Sequence, residues 1–272
     1  MASCGLLNLA SCLPEKFFEF LASILNAPLQ PLLSLTKYLL SAQVELSLFS
    51  SIWAIMVYVL SMFYALLIIW SGFTFIVSGY DYKKREHAKE WLQNIITMII
   101  LVQASFFIYQ LFVELGATLT STTLTLVPTN FFELTLDNVF NIGLEILFSG
   151  LYVITLLFAI VILIIRYGIV AVGVALFPLA IFAYFLPPLR PYGLLLLHFL
   201  GVCIFVTFLD AILLVGFSKL IEIPFFAGIK ILVMTSAFLL INALMFFLMF
   251  FSIIKAAFSL GGKIATIAAK FA

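Results

Sequence analysis

The chain has 272 residues, of which 65% are hydrophobic and 9% charged, with a net charge of +1. A soluble domain carries about 45–50% apolar and about 25% charged residues, so an ordinary water-facing surface is excluded. The small net charge also excludes a global field that would attract nucleic acid. Lipid tolerates an apolar surface, and in lipid the backbone must satisfy its own hydrogen bonds, which leaves helices or closed barrels. Barrel strands alternate apolar and polar residues. Here the apolar runs continue for about 20 residues, the length a helix needs to cross hydrocarbon. The composition therefore predicts an all-α, polytopic integral membrane protein with about six transmembrane helices and amphipathic segments at both ends, multi-pass in the cell membrane.

Residues 1–50 form an N-terminal segment interrupted by Pro14, Pro28 and Pro31. Phe17, Phe18, Phe20, Leu21, Ile24 and Leu25 fall roughly on one helical face, the pattern of a helix lying in the interface. A partly re-entrant segment is the alternative. Leu9-Ala10-Ser11-Cys12 looks superficially like a lipoprotein box, but no Lys or Arg precedes it, so a signal peptide is not expected. The transmembrane domain covers residues 51–254. Its first span, 51–77, leads into the polar turn Ser78-Gly79-Tyr80-Asp81-Tyr82. A loop carrying Lys83, Lys84, Arg85 and Lys89 precedes the second span, 91–113. Residues 114–143 are rich in Ser and Thr and lack Lys and Arg. The third span, 144–165, ends at Arg166, and the fourth covers 167–186. A break near Tyr167-Gly168 is expected, because one helix over 144–186 would be about 63 Å long, twice the hydrocarbon thickness. Pro187, Pro188 and Pro191 stop the fourth span around Arg190. The fifth span, 193–217, and a link with Lys219, Glu222, Pro224 and Lys230 lead to the sixth, 231–254. Lys255, Lys263 and Lys270 then space an amphipathic C-terminal helix over 255–272.

Basic residues in short loops stay cytoplasmic. That rule puts Lys83, Lys84, Arg85 and Lys89 inside and residues 114–143 outside. Arg166 and the 219–230 link return inside, and with six spans both termini lie outside. The lysines of the tail then fall on the wrong side, and moving one span would bring them back.

No catalytic constellation stands out, so the chain does not read as an enzyme, and no cofactor or metal is expected. Gly261-Gly262-Lys263 resembles the end of a phosphate-binding loop, but Ile264 follows where Ser or Thr is needed and Ala257 replaces the upstream glycine. Energy for any active transport must then come from a partner. Cys4, Cys12 and Cys203 match no zinc spacing, and His87 and His198 lie far apart. Ionisable groups inside spans are costly. Asp210 and Arg166 could form a structural ion pair, or Arg166 could reach the lipid phosphates. In the sharper alternative, Asp210, His198, Gln103, Gln110 and Asn242 line a polar path, although such residues also serve as glue between helices. The basic cluster fixes orientation and binds anionic lipid headgroups. Docking of nucleic acid or of a cytoplasmic ATPase is the other reading, and four charges supply too few phosphate contacts for strong DNA binding alone.

Two stretches carry a family resemblance. The first runs Trp70-Ser71-Gly72-Phe73-Thr74-Phe75-Ile76-Val77-Ser78-Gly79-Tyr80-Asp81 and continues into Ala88-Lys89 and an apolar helix. The second contains Arg166-Tyr167-Gly168, Leu176-Phe177-Pro178-Leu179-Ala180 and Phe185-Leu186-Pro187-Pro188-Leu189-Arg190. The first resembles the hairpin of membrane subunits in type IV secretion and conjugation machines, the second resembles a segment of their polytopic inner-membrane channel subunit, and in size and span count the chain resembles the CedA family of the crenarchaeal DNA-import system. The resemblance covers residues 50–215. It implies a DNA-conducting membrane channel subunit that works, as an oligomer, with a separate cytoplasmic ATPase, small membrane subunits and surrounding lipid. Pro178 would then kink the fourth helix, since it removes a backbone donor. A secondary transporter for a small solute and a structural assembly factor are the competing functions.

Overall fold

The computed structural model describes residues 20, 24, 27, 29, 31–80, 82–128, 131 and 142–271; these form helices and short links, with no strand among them. Residues 31–41 belong to helix α1. A 3-10 turn, Leu46–Phe49, enters α2 (Ser50–Val77), and a second, Ser78–Tyr80, precedes α3 (Tyr82–Gln103). Then follow α4 (Ser105–Leu124), α5 (Ile142–Phe185), α6 (Arg190–Ile221), the single turn α7 (Pro224–Ala227) and α8 (Lys230–Phe271). Five stretches among the described residues are long and apolar enough to cross a membrane: Leu46–Val77, Tyr82–Leu124, Phe148–Phe185, Arg190–Ile221 and Lys230–Phe251. The architecture is thus the all-α polytopic one that composition predicts, and the protein is membrane-embedded.

The expected break at Tyr167-Gly168 is absent. The third and fourth spans are one 44-residue helix, about 66 Å long at 1.5 Å per residue. The burial pattern supplies the reason. Along the first half, Tyr152, Leu156, Ala159, Leu163 and Arg166 are buried at helical spacing, a single stripe on an otherwise open surface. From Val170 to Ala183 nearly every residue is buried, including Val174, Ala175, Phe177, Ala180 and Ile181. Protein surrounds that half, so its length is not limited by hydrocarbon thickness. Arg166 is held inside the protein and does not need a helix end from which to reach headgroups. The helix also runs through Pro178, which leaves the Val174 carbonyl without its usual donor four residues on.

The basic cluster is helical, which corrects its assignment to a loop. Lys83, Lys84, Arg85 and Lys89 occupy the first turns of α3. Lys, Arg and Glu are good helix formers, His87 Nδ1 lies 3.7 Å from Glu90 one turn on, and the Arg85 guanidinium sits 5.7 Å from the Phe75 ring. The hydrogen-bond ladder continues across residue 104, with Ala104 N donating to Ile100 O at 3.0 Å and Ile108 N to Ala104 O at 3.1 Å. The chain from Tyr82 to Leu124 is therefore effectively one long rod.

Phe17, Phe18, Leu21, Leu25, Cys4 and Cys12 lie outside the described residues, while Phe20 and Ile24 are helical and exposed. On α1, desolvation pushes the Lys37 ammonium below the ordinary lysine value. At the other end, α8 carries its backbone helix unbroken through residues 255–271, so Gly261-Gly262-Lys263 is helical and forms no phosphate-binding loop.

The chain divides into two compact units. One takes residues 1–42, 118–165 and 207–245, and the other takes 43–117, 166–206 and 246–272. Within the second, α5 and α6 form a hairpin. Pro187 and Pro188 follow the end of α5, and Pro191 is the second residue of α6, where its missing N–H costs nothing. Leu189 N donates to Leu186 O at 2.9 Å and Gly193 N to Leu189 O at 3.1 Å. Gly193 lies against the α5 backbone: a Cβ there would overlap Tyr184 N and come within 2.7 Å of Ala180 O. Lipid provides no hydrophobic drive between helices, so such close approach through small residues is a main source of packing energy.

Candidate functional site

The first unit has a polar interior at membrane depth. On α6, Thr207, Asp210 and Ser218 are buried, and their spacing of three and eight residues puts them on one face of the helix. Asp210 is 0% exposed. The Thr207 and Thr120 hydroxyls lie 3.3 Å apart, which joins the end of α4 to α6. On the facing parts of α5 and α8, Asn242 Nδ2 donates to Thr155 O at 2.8 Å. Thr155 Oγ1 in turn donates to Tyr152 O at 2.8 Å. The Tyr152 ring packs edge-on to Phe238 at 5.6 Å. The Tyr152 hydroxyl and Asn242 Oδ1 are buried without a hydrogen-bond partner in the protein. Unsatisfied polar atoms at this depth are expensive, and the same unit also buries a carboxylate, which marks its interior as the functional candidate.

The second unit holds Arg166, 5% exposed. Its Nε donates to Cys203 O at 2.8 Å and its Nη2 to Ile204 O at 3.1 Å, so the guanidinium fork grips two successive carbonyls of α6. One turn further along α5, Tyr109 of α4 inserts beside Gly173. Its hydroxyl donates to Val170 O at 2.7 Å, and its ring lies 5.2 Å from Phe177. A Cβ on Gly173 would overlap that hydroxyl and lie 2.7 Å from Leu200 Cδ2. Pro178 follows directly in the same buried stretch.

The polar residues that the sequence proposes for one path are therefore placed differently. Asp210 and Asn242 are buried, whereas His198 and Gln103 are exposed on the outer sides of α6 and α3. Gln110 donates to Glu114 Oε1 at 2.7 Å on the surface of α4. The sequence reading passed over Thr120, Tyr152 and Thr207. The cue was present for Thr207, which stands one turn before Asp210. No comparable spacing announces Tyr152 or Thr120, which gain their roles only by packing.

Buried polar groups of this kind either take part in proton or ion chemistry or lock helices together. Among the described residues no three His, Cys, Asp or Glu side chains group as metal ligands. No protein-family model matches the chain, and no curated protein or solved structure does either.

Proposed function

We propose that the chain is the polytopic channel subunit of a type IV secretion-like DNA-import machine, resident in the plasma membrane and driven by a separate cytoplasmic ATPase. The observation that carries this reading is the burial of Asp210, Thr207 and Asn242 in helices that are otherwise apolar. Burying a carboxylate within a membrane span is costly, which favours a functional role for it. The helical backbone at Gly261-Gly262-Lys263 supports an external energy source. DNA, small membrane subunits and further copies of the chain are the partners this reading brings.

Orientation follows from α5 being one helix. If each of the five spans crosses once, the start of α3, the α5–α6 turn and the end of α8 share a side. That side collects Lys83, Lys84, Arg85, Lys89, Arg190, Lys255, Lys263 and Lys270 of the thirteen basic residues, and it is cytoplasmic by the basic-residue rule. The α6–α8 link then faces outward, opposite to the side expected from six spans. In a Cys-free background, a Cys at exposed Ile223 should react with a membrane-impermeant maleimide in intact cells. A Cys at exposed Tyr82 should react only after permeabilisation. Protection at Ile223 in intact cells would reverse the arrangement.

The functional test is deletion of the gene combined with affinity purification of the tagged chain. Loss of DNA uptake and co-purification of an ATPase are expected. The buried Asp210 also favours a second reading, a proton- or ion-coupled solute permease. That reading predicts uptake by the purified protein alone in liposomes, lost in Asp210→Asn; the DNA-import reading predicts no such uptake.

A further inference from the structure

The α2–α3 hairpin lies wholly within the second unit and exposes two unlike flanks at the same height. Two contacts fix its antiparallel register. At one end Trp53 Nε1 donates to Ser105 Oγ at 2.8 Å. Near the turn the Arg85 guanidinium sits 5.7 Å from the Phe75 ring. Almost equal lengths of helix separate the two contacts on each side, so the helices run together with little slip. That register sets Lys83 beside Ile76 and Thr97 beside Met62. On α3, Lys83, Glu86, Glu90, Asn94 and Thr97 are exposed. Steps of three and four residues keep them on one flank, and from first to last they cover about 21 Å. Ala88, Ile95 and Met98 turn the other way and are buried. On α2, Met62, Leu66, Ile69, Phe73 and Ile76 follow the same steps and are 62–78% exposed. Their backs are Val57, Leu60, Tyr64 and Ser71, the buried face.

No Asp, Glu, Lys or Arg occurs from Leu46 to Val77, and that stretch is long and apolar enough to cross a membrane. At one depth, then, α2 presents a hydrocarbon-like stripe and α3 a row of ionisable and amide side chains. Lipid on both flanks would strand Glu86 and Glu90, since ionisable residues at membrane depth face protein or water. Water on both flanks would leave the α2 stripe as a long exposed apolar patch. A second helix laid on the α3 flank would need a matching row of polar partners, whereas water needs none. Lipid along α2 and water along α3 satisfies both helices.

We propose that the α2–α3 hairpin is the wall of a water-filled vestibule that opens at the Ser78–Tyr80 turn, with α2 against lipid and the Glu86, Glu90, Asn94 and Thr97 flank of α3 in water. Thr97 stands level with Met62, about 22 Å from Val77 along the α2 axis. That is past the middle of a hydrocarbon layer about 30 Å thick. Both signs of charge line the flank, so the vestibule suits hydrated ions and polar solutes rather than amphiphiles. The inference goes beyond the DNA-import reading and applies equally to a permease.

Thiol labelling reads the two flanks separately, because the charged thiolate that reacts forms in water and not in hydrocarbon. In the full chain with Cys4, Cys12 and Cys203 changed to Ser, single cysteines replace Glu86, Glu90, Asn94 or Thr97 on α3, and Met62, Ile69 or Phe73 on α2. All seven positions are exposed, so each variant should keep the parent elution profile, which size exclusion checks. Open membrane fragments, reached from both faces, are treated with a trimethylammonium methanethiosulfonate. Thiols left unmodified are then counted by a mass-tagged maleimide after denaturation. All four α3 cysteines should be blocked at rates close to that of Tyr82→Cys, which lies at the turn. The three α2 cysteines should remain open to the maleimide. Equal blocking of both sets would mean that the hairpin stands clear of the membrane as an arm in water. Unmodified Asn94→Cys and Thr97→Cys would mean that lipid or another helix covers the α3 flank. Either result overturns the proposal. Neither DNA nor an ATPase is present, so the outcome is separate from that of the uptake and purification tests.

Discussion

Gly193→Ala is expected to abolish recovery of folded, monodisperse protein. The added methyl would overlap Tyr184 N and press within 2.7 Å of Ala180 O and Tyr184 Cα. All three are backbone atoms of α5, so no rotamer change can make room, and the hairpin itself must open. Overpacking of a tight interior usually costs about 1–3 kcal/mol, and backbone contacts put this site at or beyond the upper end. The damage also falls where the chain reverses after two prolines, so the α5–α6 contact loses both its close approach and its turn geometry. Gly168→Ala is the control. A Cβ there meets nothing within 4 Å, and alanine is a better helix former than glycine by about 1 kcal/mol. Fluorescence-detected size exclusion after a temperature ramp separates the two: Gly193→Ala should aggregate or fail to express, and Gly168→Ala should melt at or above the parent. A parent-like melting curve for Gly193→Ala would mean that the two helices are not in backbone contact.

The fold class was legible because the membrane imposes it. Continuous apolar runs, sparse charge and the need to close every backbone hydrogen bond leave few alternatives. The stop signals were legible too, since Pro187 and Pro188 mark the end of α5 for a steric reason that no packing can override. What misled was Arg166. A charge in an apolar run looks like the end of a span when lipid is taken as its only surroundings. The Cys203 and Ile204 carbonyls that receive it lie some 37 residues away, a partnership that no local pattern encodes. The charged run after residue 82 misled in the opposite sense. Its charges look like a loop, yet Lys, Arg and Glu are compatible with helix, and α3 simply extends beyond the apolar stretch. At the candidate site, Asp210 was visible as an ionisable residue within a span. The other buried polar residues of its unit were not, because Thr120, Tyr152 and Asn242 come from three other helices. The exposure of His198 depends on which face of α6 meets protein, and an apolar helix without amphipathic contrast does not reveal that face.

Arg166→Ala should destabilise the protein by about 3 kcal/mol, the scale for breaking a buried charged network. Two hydrogen bonds from a charged donor are lost, each worth about 1.5–3 kcal/mol, and a void opens between α5 and α6. Arg166→Lys should recover only part of the loss. An ammonium is a compact, strongly hydrated point charge, while the guanidinium fork reaches Cys203 O and Ile204 O together with separate donors. Cys203 supplies a local readout, because it is a free, fully buried thiol on the residue whose carbonyl Arg166 holds. With Cys4 and Cys12 changed to Ser, the parent should resist maleimide in mild detergent. Arg166→Ala should be alkylated fastest, and Arg166→Lys at an intermediate rate. The same order should appear in the apparent melting temperature. If alkylation in Arg166→Ala stays as slow as in the parent, the guanidinium is not what holds α5 to α6, and the continuity of α5 through residue 166 must rest on the packing of Val170 to Ala183 alone.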